Sequence, residues 1–183
     1  VAQGIKKFCV DGGFLFAMCS ATDTYEIALA AAHTDICEHM FDGDPMDPNA
    51  QAKLDYEQTL AFENFEMVLN PFQYEFSNID ANMGRRVPEH MDYFSLFEFS
   101  AKWDPVPSML TQNHTRTVKG FMGQTTAFRS SIIKKDVLIM GELKAYGEAR
   151  YIHGNLGKRM WTYFGGHDPE DYRHFVVDDP TDL

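Results

Sequence analysis

The sequence predicts a single α/β domain in which strands outnumber helices, and three observations predict it. The first is the stretch Gly12-Gly13-Phe14-Leu15-Phe16-Ala17-Met18-Cys19, where two glycines open a short apolar run that passes almost at once into a helix signal. The second is the last third of the chain, where three strand-like runs are each closed by glycine. The third is size: 183 residues, 44% hydrophobic and rich in Phe, suffice for one sizeable core.

In chain order, the opening Val1-Ala2-Gln3-Gly4-Ile5-Lys6-Lys7-Phe8 reads as the last turns of a helix, and we expect a fragment of a longer protein that lacks its N-terminal part. Residues 14–18 do not alternate, as expected of a parallel strand buried on both faces. Asp23 reads as a helix N-cap, with Glu26 three residues on completing a capping box. That helix carries Tyr25, Ile27, Leu29 and Ala32 and ends near His33. Residues 35–40 read as a second short strand.

The stretch Asp42-Gly43-Asp44-Pro45-Met46-Asp47-Pro48-Asn49 is a loop by every local signal. Residues 59–76 alternate loosely and suggest strand or hairpin. Residues 82–90 are polar, and 93–99 are aromatic-rich, strand or short helix. Trp103-Asp104-Pro105-Val106-Pro107 is a rigid connector, followed by mixed loop to about Phe128. Val137-Leu138-Ile139-Met140 is a strand ending at Gly141. Ala149-Arg150-Tyr151-Ile152-His153 and Arg159-Met160-Trp161-Thr162-Tyr163-Phe164 are two more, with the spacing of a hairpin.

Composition excludes several classes. A net charge of −11 with no basic cluster argues against nucleic acid and against an anionic membrane surface. No apolar run reaches the ~18 residues of a membrane span. Three scattered cysteines without CxxC spacing form no disulfide framework.

Cys19 is the first candidate for chemistry. A cysteine between strand and helix stands at a sheet edge near a helix N-terminus, where nucleophiles are placed and thiols activated; the alternative is a small buried hydrophobe. The second candidate is Gly165-Gly166-His167-Asp168-Pro169-Glu170-Asp171-Tyr172: a histidine just past a strand and beside acids suits a general base, and equally suits a solvated acidic turn. The third is Asp35, Cys37, Glu38, His39, Asp42, Asp44, Asp47 and Asn49, whose oxygens suit Ca²⁺ or Mg²⁺ but lack EF-hand spacing; a solvated loop is expected, and no metal or cofactor is assigned. Asn113-His114-Thr115 is a formal glycosylation sequon. His153, His174 and Gly84-Arg85-Arg86 carry no demanding pattern.

With Cys19 and His167 in view, the chain resembles the class I glutamine-amidotransferase-like superfamily. Ala17-Met18-Cys19-Ser20-Ala21 stands where that family has Gly-x-Cys-x-Gly, with alanine at both glycine positions. His167-Asp168-Pro169-Glu170 stands where it has His-Pro-Glu, with one residue inserted. Within the superfamily the chain is similar to the ThuA-like branch, through Val10-Asp11-Gly12-Gly13, Gly157-Lys158-Arg159-Met160 and Gly166-His167-Asp168. Much of it also resembles Bacteroidota proteins labelled asparagine synthetase B. The phrases are Phe16-Ala17-Met18-Cys19-Ser20-Ala21-Thr22-Asp23, Met40-Phe41-Asp42-Gly43-Asp44-Pro45, Phe97-Glu98-Phe99-Ser100-Ala101-Lys102-Trp103-Asp104-Pro105 and the segment 165–172. Neither an N-terminal nucleophile cysteine nor a Ser-Gly-Gly-x-Asp-Ser loop is present.

The resemblance implies a flavodoxin-like, mostly parallel sheet flanked by helices, with extra β-rich insertions. It implies a Cys19, His167 and Glu170 site (Asp168 if the insertion shifts the register) acting on an amide of a small-molecule substrate, and an envelope or periplasmic location. Two alternatives stay open. One is a non-catalytic binding or scaffolding subunit with protein partners in a larger envelope assembly. The other is a ThuA-like carbohydrate-active protein using His167, His153 and acids around a metal.

Overall fold

The computed structural model describes residues 1–70, 72–82, 88, 91–96, 117–120 and 123–166. The opening segment is helical, α1 (Ala2–Val10), and α1 turns through Gly12 into strand β1 (Leu15–Met18). Gly12 has φ 119°, a conformation open to glycine. Helix α2 (Ser20–Ala30) follows β1 with only Cys19 between them, and a short helix α3 (His39–Asp42) comes next. The remaining strands are β2 (Tyr93–Leu96), β3 (Thr117–Lys119), β4 (Phe128–Arg129), β5 (Leu138–Leu143), β6 (Glu148–Leu156) and β7 (Arg159–Phe164).

These strands form one sheet of order β1-β7-β6-β5-β2-β3, with β4 also paired to β6. Among the described strands only β1 and β7 pair in parallel, with Met18 opposite Phe164; every other pair is antiparallel. The fold is therefore mixed α/β, and the expectation of a mostly parallel sheet is corrected. The reason is connection length. β5, β6 and β7 are joined by the tight turns at 144–147 and 157–158, and parallel neighbours need a crossover of about a dozen residues. The β6–β7 hairpin expected from the sequence is present.

Both faces of the sheet are covered, as alternation along β1 makes plain. Leu15 and Ala17 belong to the main core, with Tyr25, Ile27, Leu29, Leu54, Phe62, Phe65, Ile79, Phe128, Trp161 and Tyr163. Phe16 and Phe164 belong to a second cluster around Phe94, Met140 and Tyr151. Residues 54–80 supply much of the main core with little regular structure. They are tied to the fold by isolated bridges such as Phe62 to Ile133 and Met67 to Ser77.

Four local expectations are corrected. Residues 35–38 form no strand, and α3 begins at His39. β5 runs through Gly141 with a register irregularity rather than stopping there, and β6 runs through Gly154. A side chain at Gly154 would lie 2.4 Å from the Trp161 ring, so this glycine makes room for that indole inside the ladder. Asp23 is not an N-cap: α2 starts at Ser20, with Cys19 in the capping position.

Candidate functional site

Cys19 is built into a sharp turn. Its backbone lies at φ 53°, ψ −140°, a conformation that L-residues other than glycine avoid. The turn is held on both sides. The Cys19 N–H donates to Phe164 O at 3.2 Å, continuing the parallel ladder with β7, and its carbonyl accepts from the Thr22 N–H at 3.1 Å and hydroxyl at 2.8 Å. The side chain is half-buried at the N-terminal end of α2. The thiol donates to Gln124 O at 2.9 Å.

β1 and β7 end together. Because they are parallel, the carboxyl end of β7, Gly165-Gly166, lies level with Cys19. β4 and β7 share one edge of β6, β4 opposite 148–149 and β7 opposite 151–156. Residues 123–127 therefore cross the end of β7 on their way into β4. That crossing explains Gly165, where a Cβ would stand 2.5 Å from Thr126 O. The Gly165 N–H donates to Arg150 O at 2.6 Å. His167, Asp168 and Glu170 lie outside the described residues, as do His174, His114, Asn113, Thr115, Gly84, Arg85 and Arg86.

The loop 123–126 is held from behind by buried polar groups. Thr125 is itself at φ 52°. Its N–H donates to Asp80 Oδ2 at 2.7 Å, and its hydroxyl lies 3.4 Å from Asp23 Oδ2. The Ser77 hydroxyl donates to Asp23 Oδ1 at 2.7 Å. Asn82 Nδ2 donates to Gly123 O at 3.0 Å and Thr126 Oγ1 at 2.8 Å. Arg150, fully buried, donates to Thr126 O at 3.1 Å and to Asp92 Oδ1 at 2.9 Å.

Burial raises the Asp23 carboxyl to about 7, the nearby Asp80 and Glu26 carboxyls adding to the effect and the Ser77 and Thr125 hydroxyls opposing it. Asp80 is raised by burial as well, against N–H bonds from Thr125 and Asn82.

Glu26, expected to close a capping box, serves instead as an internal hub. Its carboxylate is fully buried and accepts the N–H groups of Leu60, Ala61 and Phe62 at 3.1–3.2 Å and the Tyr163 hydroxyl at 2.6 Å. Three of these four donors are backbone groups that a strand-free core segment would otherwise leave bare. Burial still raises its pKa. Glu26 thereby fixes residues 60–62 against α2 and β7.

The acidic loop is split. Asp35, Asp42 and Asp44 bring carboxylate oxygens within 4.8 Å of one another, all exposed. Asp35 and Asp42 each accept an N–H two residues on, from Cys37 and Asp44. Asp47 is turned to Lys53 and to the Asn49 N–H instead. Ordinary turn chemistry accounts for this arrangement. His153 is buried, its Nδ1 3.2 Å from Thr162 Oγ1, with its pKa lowered by desolvation. Cys9 is buried in α1, and all three cysteines are free.

Sequence reasoning located Cys19 from local signals alone. It missed Ser77, Asp80, Asn82, Gln124 and Thr125, whose partners are 41 to 105 residues away in the chain. No local periodicity reports such pairings. No family model, curated protein or solved structure matches this chain.

Proposed function

We propose that this chain is an amidotransferase-like protein that hydrolyses an amide of a small-molecule substrate through Cys19. One observation carries the reading: Cys19 adopts φ 53°, ψ −140° between a parallel strand and the helix that follows it. Strain of this kind persists where it aims a side chain, and a strand-to-helix turn is a place where nucleophiles are aimed. The alanines at 17 and 21 do not prevent the turn, because the strained angle falls on Cys19 itself.

In this reading Cys19 Sγ gives its proton to His167 and attacks the amide carbonyl carbon. The oxyanion meets the Ser20 N–H, one of the donors that the first turn of a helix leaves without an intrahelical partner. The C–N bond breaks as His167 returns the proton, and ammonia departs. Water then attacks the thioester with His167 as base, which frees the acid and restores the thiol. Glu170, or Asp168, orients the imidazole. The roles of His167, Asp168 and Glu170 rest on the resemblance to the amidotransferase superfamily, and so does an envelope location.

The test is ammonia release from glutamine and small amides. Cys19→Ala is expected to lower it at least about a thousandfold, the scale on which a nucleophile's loss is felt; unchanged release would sink the reading.

A specific observation favours a second reading, a non-catalytic subunit of an envelope assembly. Among the described strands β1 lies at the end of the sheet order, and its residues Leu15, Phe16, Ala17 and Met18 are all apolar. Such an edge accepts a further strand.

A further inference from the structure

We infer that the loop 123–126 is an autoinhibitory latch that holds Cys19 as an idle thiol, with Tyr74 as its handle. The inference rests on the reading of Cys19 as a nucleophile and adds its regulation.

The contact at issue is the 2.9 Å bond from Cys19 Sγ to Gln124 O. Only a thiol has a proton to donate there. The reactive species of a cysteine is the thiolate, and a thiolate beside a carbonyl oxygen meets a partial negative charge with no bond to replace the lost one. The nucleophile must therefore part from this carbonyl before it reacts.

The carbonyl is placed by design of the loop rather than by chance packing. Behind it, Asp80 takes the Thr125 N–H, Asn82 takes Gly123 O and Thr126 Oγ1, and Arg150 takes Thr126 O. The next residue, Thr125, is strained at φ 52°. A strained peptide kept in place by external bonds is poised to move when one is lost.

In front, the loop is hooked to the surface. The Gln124 N–H donates to Tyr74 Oη at 3.1 Å, and Gln124 Nε2 donates to Tyr74 O. Tyr74, 63% exposed, and Phe72, 95% exposed, both lie between Met67 and Ser77, which form an isolated bridge. The outer hook is thus the accessible one, while the inner bonds are buried or half-buried. Displacing Tyr74 removes both front bonds at once and frees the peptide that caps the thiol.

The experiment measures carbamidomethylation of Cys19 by iodoacetamide, in which Sγ displaces iodide and the thiol proton passes to buffer. Peptide mass spectrometry reads Cys19 apart from Cys9 and Cys37. Tyr74→Phe removes the hydroxyl acceptor, and Gln124→Ala removes the side-chain hook. Each is expected to raise the Cys19 rate roughly threefold or more, the effect of one hydrogen bond, with an unchanged melting temperature. Tyr74→Phe is an exposed, near-isosteric change and keeps the test open should Gln124→Ala fold poorly. A rise in either folded variant supports the latch, and rates no faster than wild type in both overturn it. Because no substrate is used, the outcome is independent of amide turnover: faster alkylation without ammonia release keeps the latch and removes the amidase reading, and the converse does the opposite.

Discussion

Cys19 and Asp23 lie one turn apart and are strained in different senses. At Cys19 the strain is conformational: φ 53°, ψ −140° costs a non-glycine residue about 1–3 kcal/mol. Glycine escapes this cost but loses about 0.5–1 kcal/mol of chain entropy. Cys19→Gly is therefore expected to be more stable than Cys19→Ala by about 1 kcal/mol in denaturant titration, although both lose the thiol. Equal stability of the two would remove the strain from the account. At Asp23 the strain is electrostatic. Its carboxyl ionises near 4 in the unfolded chain and near about 7 in the fold. Between those values the folded state holds a proton that the unfolded state has released, so stability falls as pH rises through that window and is flat above it. Asp23→Asn cannot lose a proton there. Its stability is expected to fall less than that of wild type between about pH 4 and about pH 7, by on the order of 2–4 kcal/mol. Asp80 and Glu26 titrate with the same sign in both proteins, and their coupling to Asp23 is part of the difference that is measured. Parallel curves would show that Asp23 does not hold the proton.

The elements differ in how far they could be read. β6, β7 and their hairpin were legible because Gly147, Gly157 and Gly165 flank them and aromatic and β-branched residues fill them, whereas β5 was legible at its start and continues past Gly141 to Leu143. Helices α1 and α2 were legible too, but the start of α2 was misplaced. Asp23 and Glu26 have the spacing of a capping box, and both are used instead for buried bonds to Ser77 and to residues 60–62. Residues 35–40 are apolar enough for a strand, yet the aspartates at 35 and 42 bend the chain through local turns. Glycines divide in the same way. Gly4 in α1 has no atom within 4 Å of its missing Cβ, whereas that of Gly165 would meet Thr126 O at 2.5 Å. Gly165→Ala is expected to destabilise the fold by about 1–3 kcal/mol, and Gly4→Ala to stabilise it by about 1 kcal/mol, both by thermal or chemical denaturation. Similar effects at the two positions would contradict the tight crossing of residues 123–127 over β7.

At the scale of the whole molecule, the sheet gathers distant parts of the chain at one end. The parallel pairing of β1 with β7 sets Cys19 level with Gly165, and β4 brings the 123–126 loop over both. Nothing local in the sequence encodes that pairing. The apolar run of β1 announces a buried strand without naming its neighbour; the mostly parallel sheet was what the family resemblance implied, and a mixed one is found. The candidate site was legible at Cys19 and illegible at Gln124, Thr125 and Asp80, which enter only through chain-distant hydrogen bonds. Hydrolysis through Cys19 requires that its sulfur form a bond to substrate. The direct measurement is to quench the protein in acid during turnover of an amide and weigh the peptide containing residue 19. The acyl mass is expected on Cys19 in wild type and not on the Cys19→Ala peptide, with no ammonia released by that variant; ammonia release without an acyl group on Cys19, persisting in Cys19→Ala, would rule out covalent catalysis by this thiol.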